Sequence, residues 1–205
     1  MITQAVRSII PTRFRPIINI TLYFIYLKNL VERCDHVEMP PELSLFIISS
    51  TDEYHAAVAN GYNFSGCPKN ENIEDGLNKG ACLLCIFQNQ ALAHTSWLAL
   101  NYNQSVYDSL FITGRIGQEG DSYIGPCNTY PTFRGRGLYP LALRLACQHI
   151  KSKGADRIII NTKKTNRSSM RGIDKADFIK FSWAIACCFF GYKFTYFGFK
   201  NNMKI

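Results

Sequence analysis

The sequence predicts an α/β (α+β) fold, a central mixed β-sheet flanked by helices on both faces. Three observations lead there. Two apolar runs, Ala81–Phe87 and Ala91–Leu98, stand on either side of the short polar stretch Gln88-Asn89-Gln90, which reads as a β-hairpin. Further on, an extended run, a glycine-rich loop, an amphipathic helix and a second apolar run follow one another as a βαβ unit. Lastly, the 205 residues are 47% hydrophobic, enough to bury one sizeable core.

Taken in order, Ile17–Leu27 is an apolar run bounded by Pro11 and Pro16 and preceded by Arg13 and Arg15. It is too short to span a bilayer, which needs about 20 apolar residues. No small-residue cleavage site follows, which argues against a signal peptide. It reads as an extra helix or strand covering the core. The arginine-plus-aromatic mix also suits a peripheral membrane contact through residues 13–27. Met39-Pro40-Pro41-Glu42 reads as a linker. The expected division is therefore an N-terminal extension and linker over 1–42 and a main domain over 43–205.

Within the main domain Leu45–Ile48 is a first strand, and Thr51–Val58 a helix capped by Thr51 or Asp52. Asn70–Lys79 forms a second helical piece ending at Gly80, and Val106–Thr113 a further strand. Phe189–Lys200, with alternating aromatics and Gly191, closes the chain as a terminal hairpin.

The βαβ unit carries the chemistry. Ser122–Tyr130 is extended; Thr132-Phe133-Arg134-Gly135-Arg136-Gly137 is the loop. Leu138, Leu141, Ala142, Leu145, Ala146 and His149 mark one helix face, Gly154 stops the helix, and Arg157–Thr162 is a buried strand. A loop of this kind aims backbone N–H groups and a helix N-terminus at one point, which attracts an anion. Arginines add fork-shaped donors. A phosphorylated cofactor is the expected ligand. A dinucleotide fingerprint is excluded, since Pro140 stands where its third glycine would be and no acidic residue ends the second strand. A P-loop is excluded by the lack of Gly-Lys-Ser/Thr.

The loop resembles the pyrophosphate loop of the GNAT superfamily of acyl-CoA N-acyltransferases, with Thr132 at a position that is Gln or Arg in the family pattern. A second family element resembles Asn166-Arg167-Ser168-Ser169…Gly172-Ile173-Asp174-Lys175-Ala176-Asp177-Phe178, an Asn opening a helix. Asp177 replaces the family's glycine there, and Ile173 stands where many members place a thiolate-protonating tyrosine. The resemblance overlies about residues 45–200, with motif support over 126–178. It implies a mostly antiparallel sheet, acetyl-CoA (coenzyme A) as acyl donor, and direct transfer to an amine. It further implies that the strand before the loop parts from its neighbour. A backbone N–H near Cys127–Thr129 would then bind the thioester oxygen. The cofactor-binding residues so implied are Cys127, Asn128, Thr129, Phe133, Arg134, Gly135, Arg136, Gly137, Leu138, Tyr139, Asn166 and Ser169. Asn166 also reads as a plain helix cap.

For proton transfer, His94 is the candidate base. Asn128 and Thr129 can orient a water, and Tyr130, Tyr139 and Tyr192 are candidate acids, with Tyr139 placed in the catalytic set beside His94 and Asn128. Cys127 as a covalent nucleophile is the less favoured route, because the family mostly uses direct attack. The extended pattern resembles members linked to bacterial surface-polysaccharide synthesis. That implies an amino sugar, or an anionic nucleotide-linked amino sugar, as the small-molecule acceptor. The alternatives are a peptide or protein amine, a non-catalytic acyl-CoA-binding module, and a scaffold with no cofactor.

The formal charge is +8, and its densest basic group, Lys151–Arg171, flanks the loop. No nucleic-acid-binding motif is readable. The eight cysteines include Cys82-Leu83-Leu84-Cys85, which lies in a buried strand without a second C-x-x-C or a His pair. They read as small buried hydrophobes in a reducing, cytoplasmic setting, with no metal site.

Overall fold

The computed structural model describes residues 18–31, 37–65, 72–100, 120–189 and 192–199. Its strands are β1 (Ile18–Asn29), β2 (Leu43–Ile48), β3 (Ala81–Gln88), β4 (Ala91–Ala99), β5 (Ser122–Thr129), β6 (Arg157–Lys163), β7 (Ile179–Phe189) and β8 (Tyr192–Phe199). The helices are α1 (Thr51–Ala59), α2 (Ile73–Asn78), α3 (Leu138–Ser152) and α4 (Arg167–Lys175). The strands form one sheet in the order β2-β3-β4-β5-β6-β1-β7-β8. Only β5 and β6 run parallel; every other pairing is antiparallel. A mixed, mostly antiparallel sheet with helices on both faces is what the sequence predicted. The strand expected over Val106–Thr113 lies outside the described residues.

Alternation along β3 divides the core. Cys82, Leu84 and Ile86 face α3 and α4, together with Ile158, Ile160 and Leu143. Leu83, Cys85 and Phe87 face the opposite way, toward Phe64, Ile73 and Leu77. Cys82 and Cys85 therefore project from opposite faces and cannot share a metal or a disulfide. Among the described residues no cluster of three His, Cys, Asp or Glu side chains could hold a metal ion. No helix among them is long and apolar enough to cross a membrane.

Helix α3 buries Leu138, Ala142, Leu143, Leu145, Ala146, Cys147 and Ile150, and each large apolar side chain so buried contributes about 1.5–3 kcal/mol. Helix α1 is capped by Ser50, one residue before the nearer of the expected caps Thr51 and Asp52: Ser50 accepts from the Glu53 N–H at 3.2 Å, and Glu53 accepts from the Ser49 N–H at 2.6 Å. This reciprocal pairing satisfies two otherwise orphaned donors, which a cap at Thr51 would not. The β3–β4 hairpin turns on Asn89 and Gln90, both at positive φ, a backbone twist that suits a two-residue turn.

Two readings of the termini need correction. Residues 1–42 were set apart as an extension and linker, with the apolar run as a cover over the core. Instead β1 lies inside the sheet, pairing with β6 on one edge and β7 on the other. Its alternating side chains supply both faces, with Tyr26 in the core under α3 and α4 and Ile25 in a cluster on the opposite face. Residues 18–27 of the segment read as a membrane contact are thus engaged in the sheet; 13–17 lie outside the described residues. The terminal hairpin is also longer than expected. Its first arm is β7, starting at Ile179, and β8 pairs along it from Ser182↔Phe199 to Phe189↔Tyr192.

If β1 is integral to the core, Ile25→Ala costs about 2–5 kcal/mol of stability, the range for a fully buried isoleucine. Chemical denaturation measures this, and a change near zero would make β1 a dispensable attachment.

Candidate active site

The site is built where two strands part. β5 and β6 share only the register pairs Ser122↔Ile158 and Tyr123↔Ile159. Beyond them β6 continues along β1 up to Lys163, while β5 continues along β4 up to Thr129. The closed end is tied by Asp121 and Arg157, which form a bidentate pair with Nε–Oδ1 at 2.7 Å and Nη2–Oδ2 at 2.8 Å. Asp121 is buried, so this charge-assisted contact is shielded from water. Just past the last shared pair, Asn161 donates to the Tyr123 hydroxyl at 3.0 Å. On the β4 side Gly125 and Pro126 together oppose Trp97, a β-bulge that re-aims the rest of β5.

Strand alternation then fixes the donors. The Tyr130 N–H bonds the Ala93 carbonyl of β4 at 3.0 Å, so the N–H groups of Cys127 and Thr129 point the other way, into the opening. The Thr129 carbonyl points there as well and accepts from Arg134 Nε at 2.9 Å.

At the end of β5, Pro131–Phe133 makes one 3-10 turn, and the loop leads into α3. Gly135 and Gly137 have φ of 80° and 75°, and a Cβ at either would meet nothing within 4 Å. Their left-handed backbone, with open space before it, leaves the loop free to approach an anion closely. α3 has no side-chain cap. The N–H groups of Leu138 and Tyr139 are therefore offered, along with the positive end of a 15-residue helix. This donor set fits a diphosphate.

The opening is a cleft of about 590 Å³. Of the predicted cofactor residues, Cys127, Asn128, Thr129, Phe133, Arg134, Gly135, Gly137, Leu138, Tyr139, Asn166 and Ser169 line it. Arg136 does not. It bonds Gln88 Oε1 at 3.1 Å and lies 5.5 Å from the Phe133 ring centroid, because adjacent residues of an irregular loop present their side chains in different directions. Asn166 borders the cleft and caps α4 by accepting from the Ser169 N–H at 3.1 Å.

Tyr139 is the phenol of the cleft. Its hydroxyl lies 3.2 Å from Ser169 Oγ and also bonds Cys127. Burial first, and the Cys127 charge second, hold it protonated well above the ordinary range. Tyr130 packs in the core on the other face, and Tyr192 is exposed on β8. Ile173, at the position where the family pattern has a tyrosine, is fully buried. Residue 172 makes the Tyr139 placement possible: a Cβ on Gly172 would lie 2.3 Å from Tyr139 Cδ1. A glycine inside a helical stretch is the local sequence sign of such a close approach.

The reading of His94 as base is corrected. Its ring is fully buried and absent from the cleft wall. Nδ1 is 2.7 Å from Thr129 Oγ1 and Nε2 is 2.8 Å from Ser96 Oγ. Burial lowers its pKa from 6.5 to about 3, so it stays neutral and orients Thr129. Asp177 also finds its reason. It sits at φ 60°, the usual glycine position after a helix. Its carboxylate lies 3.9 Å from Lys28 and 4.0 Å from Arg144. Those cations also bond the last carbonyls of α4, Lys28 to Ala176 O and Arg144 to Lys175 O. Cations at a helix C-terminus complement its dipole.

Two outcomes follow. In the folded chain His94 is neutral down to about pH 3, whereas unfolded it protonates below 6.5. The unfolded state binds the extra proton, so stability falls as pH drops from 6.5 toward 3. Thermal unfolding from pH 7 to 4 reads a shallower loss in His94→Gln than in the wild type. Gly172→Ala overpacks the Tyr139 ring and costs about 1–3 kcal/mol. Thermal unfolding also measures this, and an unchanged midpoint would mean that the ring moves aside freely.

No protein-family model matches the sequence, and no curated protein matches it. Solved structures do match the fold. An acetyltransferase of the GNAT family from Colwellia psychrerythraea aligns at a TM-score of 0.56 and 17% identity, over 89% of this chain and 57% of that one. A GCN5-related N-acetyltransferase-like protein from Streptococcus suis aligns at 0.52 and 12%, over 90% and 67%. A GCN5-related N-acetyltransferase from Sphaerobacter thermophilus aligns at 0.50 and 14%, over 86% and 53%. The chain thus spans 53% to 67% of the length of these structures. At such identities the likeness concerns architecture: the chain has the fold of the GNAT acetyltransferases.

Proposed function

We propose that this chain is an acyl-CoA-dependent N-acyltransferase that moves an acetyl group from acetyl-CoA directly to a primary amine. One observation carries the reading: the gap between β5 and β6 opens onto the uncapped N-terminus of α3 and its glycine loop. A diphosphate donor set and a slot for an extended chain are thereby continuous.

Acetyl-CoA would supply the activated acyl group. The loop from Gly135 to Tyr139 binds the diphosphate through backbone N–H groups, and Arg134 braces the strand end. The N–H groups of Cys127 and Thr129 are the donors for the thioester oxygen and for the charge that grows on it. One such donor is worth about 3 kcal/mol in the barrier. The Tyr139 phenol, held by Ser169 at the cleft wall, donates a hydrogen bond to the departing thiolate, which takes its proton from solvent. Thr129, oriented by His94, can position a water that accepts the amine's proton. Among acceptors we place an amino sugar or nucleotide-linked amino sugar first, ahead of a peptide amine, on the strength of the sequence resemblance. A non-catalytic acyl-CoA-binding module is the second reading. It is favoured by the burial of Ile173 in the family's tyrosine position and by the absence of His94 from the cleft wall.

The test supplies acetyl-CoA with amino sugars, nucleotide-linked amino sugars and peptides and follows thiol release, beside thermal unfolding with acetyl-CoA, coenzyme A and ATP. At about 100 times its dissociation constant a ligand adds roughly 2.7 kcal/mol. Stabilisation by both coenzyme A forms and turnover on an amino sugar, slowed in Tyr139→Phe, is the expected result. Turnover on peptides alone removes the sugar reading. Binding without turnover on any amine favours the module, and stabilisation by neither coenzyme A form rejects the proposal.

A further inference from the structure

The transfer chemistry leaves one feature of the cleft unused. Arg167, Arg171 and Lys175 recur at every fourth residue and form a single basic row along α4. Arg171 and Lys175 line the cleft. Their orientation is fixed from within the helix, since Gly172 between them packs on the Tyr139 ring at the mouth of α3. Like charges one turn apart repel and destabilise a helix unless something offsets them. The acids of this segment leave that row unpaired. Asp177 turns to Lys28 and Arg144, and Asp174 forms no ion pair with Arg171 or Lys175. Arg144 takes the Lys175 carbonyl and leaves its ammonium alone. No acidic side chain pairs with Arg171 or Lys175 among the described residues.

The cleft therefore has two anion-attracting walls of different chemistry. The loop wall offers backbone N–H groups, which suit the diffuse charge of a diphosphate. The α4 wall offers a guanidinium fork and an ammonium one turn apart, which suit a doubly charged phosphate monoester with three free oxygens. We propose that Arg171 and Lys175 form a phosphate-monoester subsite that selects the ligand whose diphosphate lies on the Gly135–Tyr139 loop. Resting on the acyl-CoA reading above, that monoester is the 3′-phosphate of coenzyme A. A phosphate carried by the amine acceptor has the same chemistry, and the experiment separates the two sources.

Equilibrium binding of coenzyme A and of dephospho-coenzyme A is measured on the wild type and on Arg171→Ala/Lys175→Ala. Both residues are exposed and alanine favours a helix, so the double variant is expected to fold; thermal unfolding checks this. The wild type is expected to bind coenzyme A at least roughly tenfold more tightly than the dephospho form. In the variant the ratio falls to about one through loss of coenzyme A affinity alone, with dephospho-coenzyme A unchanged. Equal binding of the two by the wild type overturns the proposal. If a phosphorylated amino sugar then loses affinity in the variant, the cations belong to the acceptor. A ratio that survives in the variant, or equal weakening of both ligands, also overturns it. Failure of the wild type to bind either form rejects the acyl-CoA reading itself.

Discussion

The fork between β5 and β6 is the constraint on which the rest of the molecule depends. Parallel neighbours that begin to pair would ordinarily continue, because every unpaired buried N–H and C=O costs free energy. Here pairing stops after Tyr123 and Ile159, and each flank of the fork compensates. The bulge at Gly125 and Pro126 keeps β5 on β4 while turning it. The antiparallel ladder with β1 holds β6 the other way over seven consecutive register pairs. The Asp121–Arg157 pair fixes where the divergence starts, and Asn161 on Tyr123 occupies the next level up. What is left inside is a slot with backbone donors and a half-buried phenol at its wall.

Those parts of the site written locally were readable from sequence. Gly135 and Gly137 alternate with arginines directly before an amphipathic helix, and the physics of an uncapped N-terminus needs nothing from afar. Asn166 before a helix and the Gln88-Asn89-Gln90 turn are equally local. What escaped the sequence depends on partners distant in the chain. The apolar run of β1 was visible, yet periodicity says which side chains are buried and not which strands lie alongside. Arg136 resembles Arg134 in sequence, but only the position of Gln88 on β3 determines that one turns away from the cleft. Asp121 and Arg157 lie on either side of a helix and give no local sign of their pairing. His94 looked like a base because a histidine beside Thr95 and Ser96 is chemically able to be one. Complete burial, which the strand pattern did not reveal, removes that ability.

The distribution of charge around α4 follows one logic. Its C-terminus is held by cations brought in from two other elements, Lys28 of β1 and Arg144 of α3, which engage its last carbonyls and Asp177. It borders the cleft along its whole length, from Asn166 and Ser169 to Gly172 and Lys175. A helix of nine residues is too short to be stable alone in water. Its position is therefore borrowed, from the core that takes Ile173 and from the two cations at its far end.

The central place of β1 bears on how the chain is made. Tyr23 sits opposite Lys163 on one side and Ala184 on the other, so β1, made ahead of every other described strand, is among the last of them that can be paired. Until residues 157–189 have emerged, an apolar segment with two unsatisfied edges must wait, exposed to other chains. Such long-range pairing is slow to form. It also means that the slot cannot exist in a partly synthesised chain, since the strand that draws β6 away from β5 has nothing to hold until β6 itself has been made.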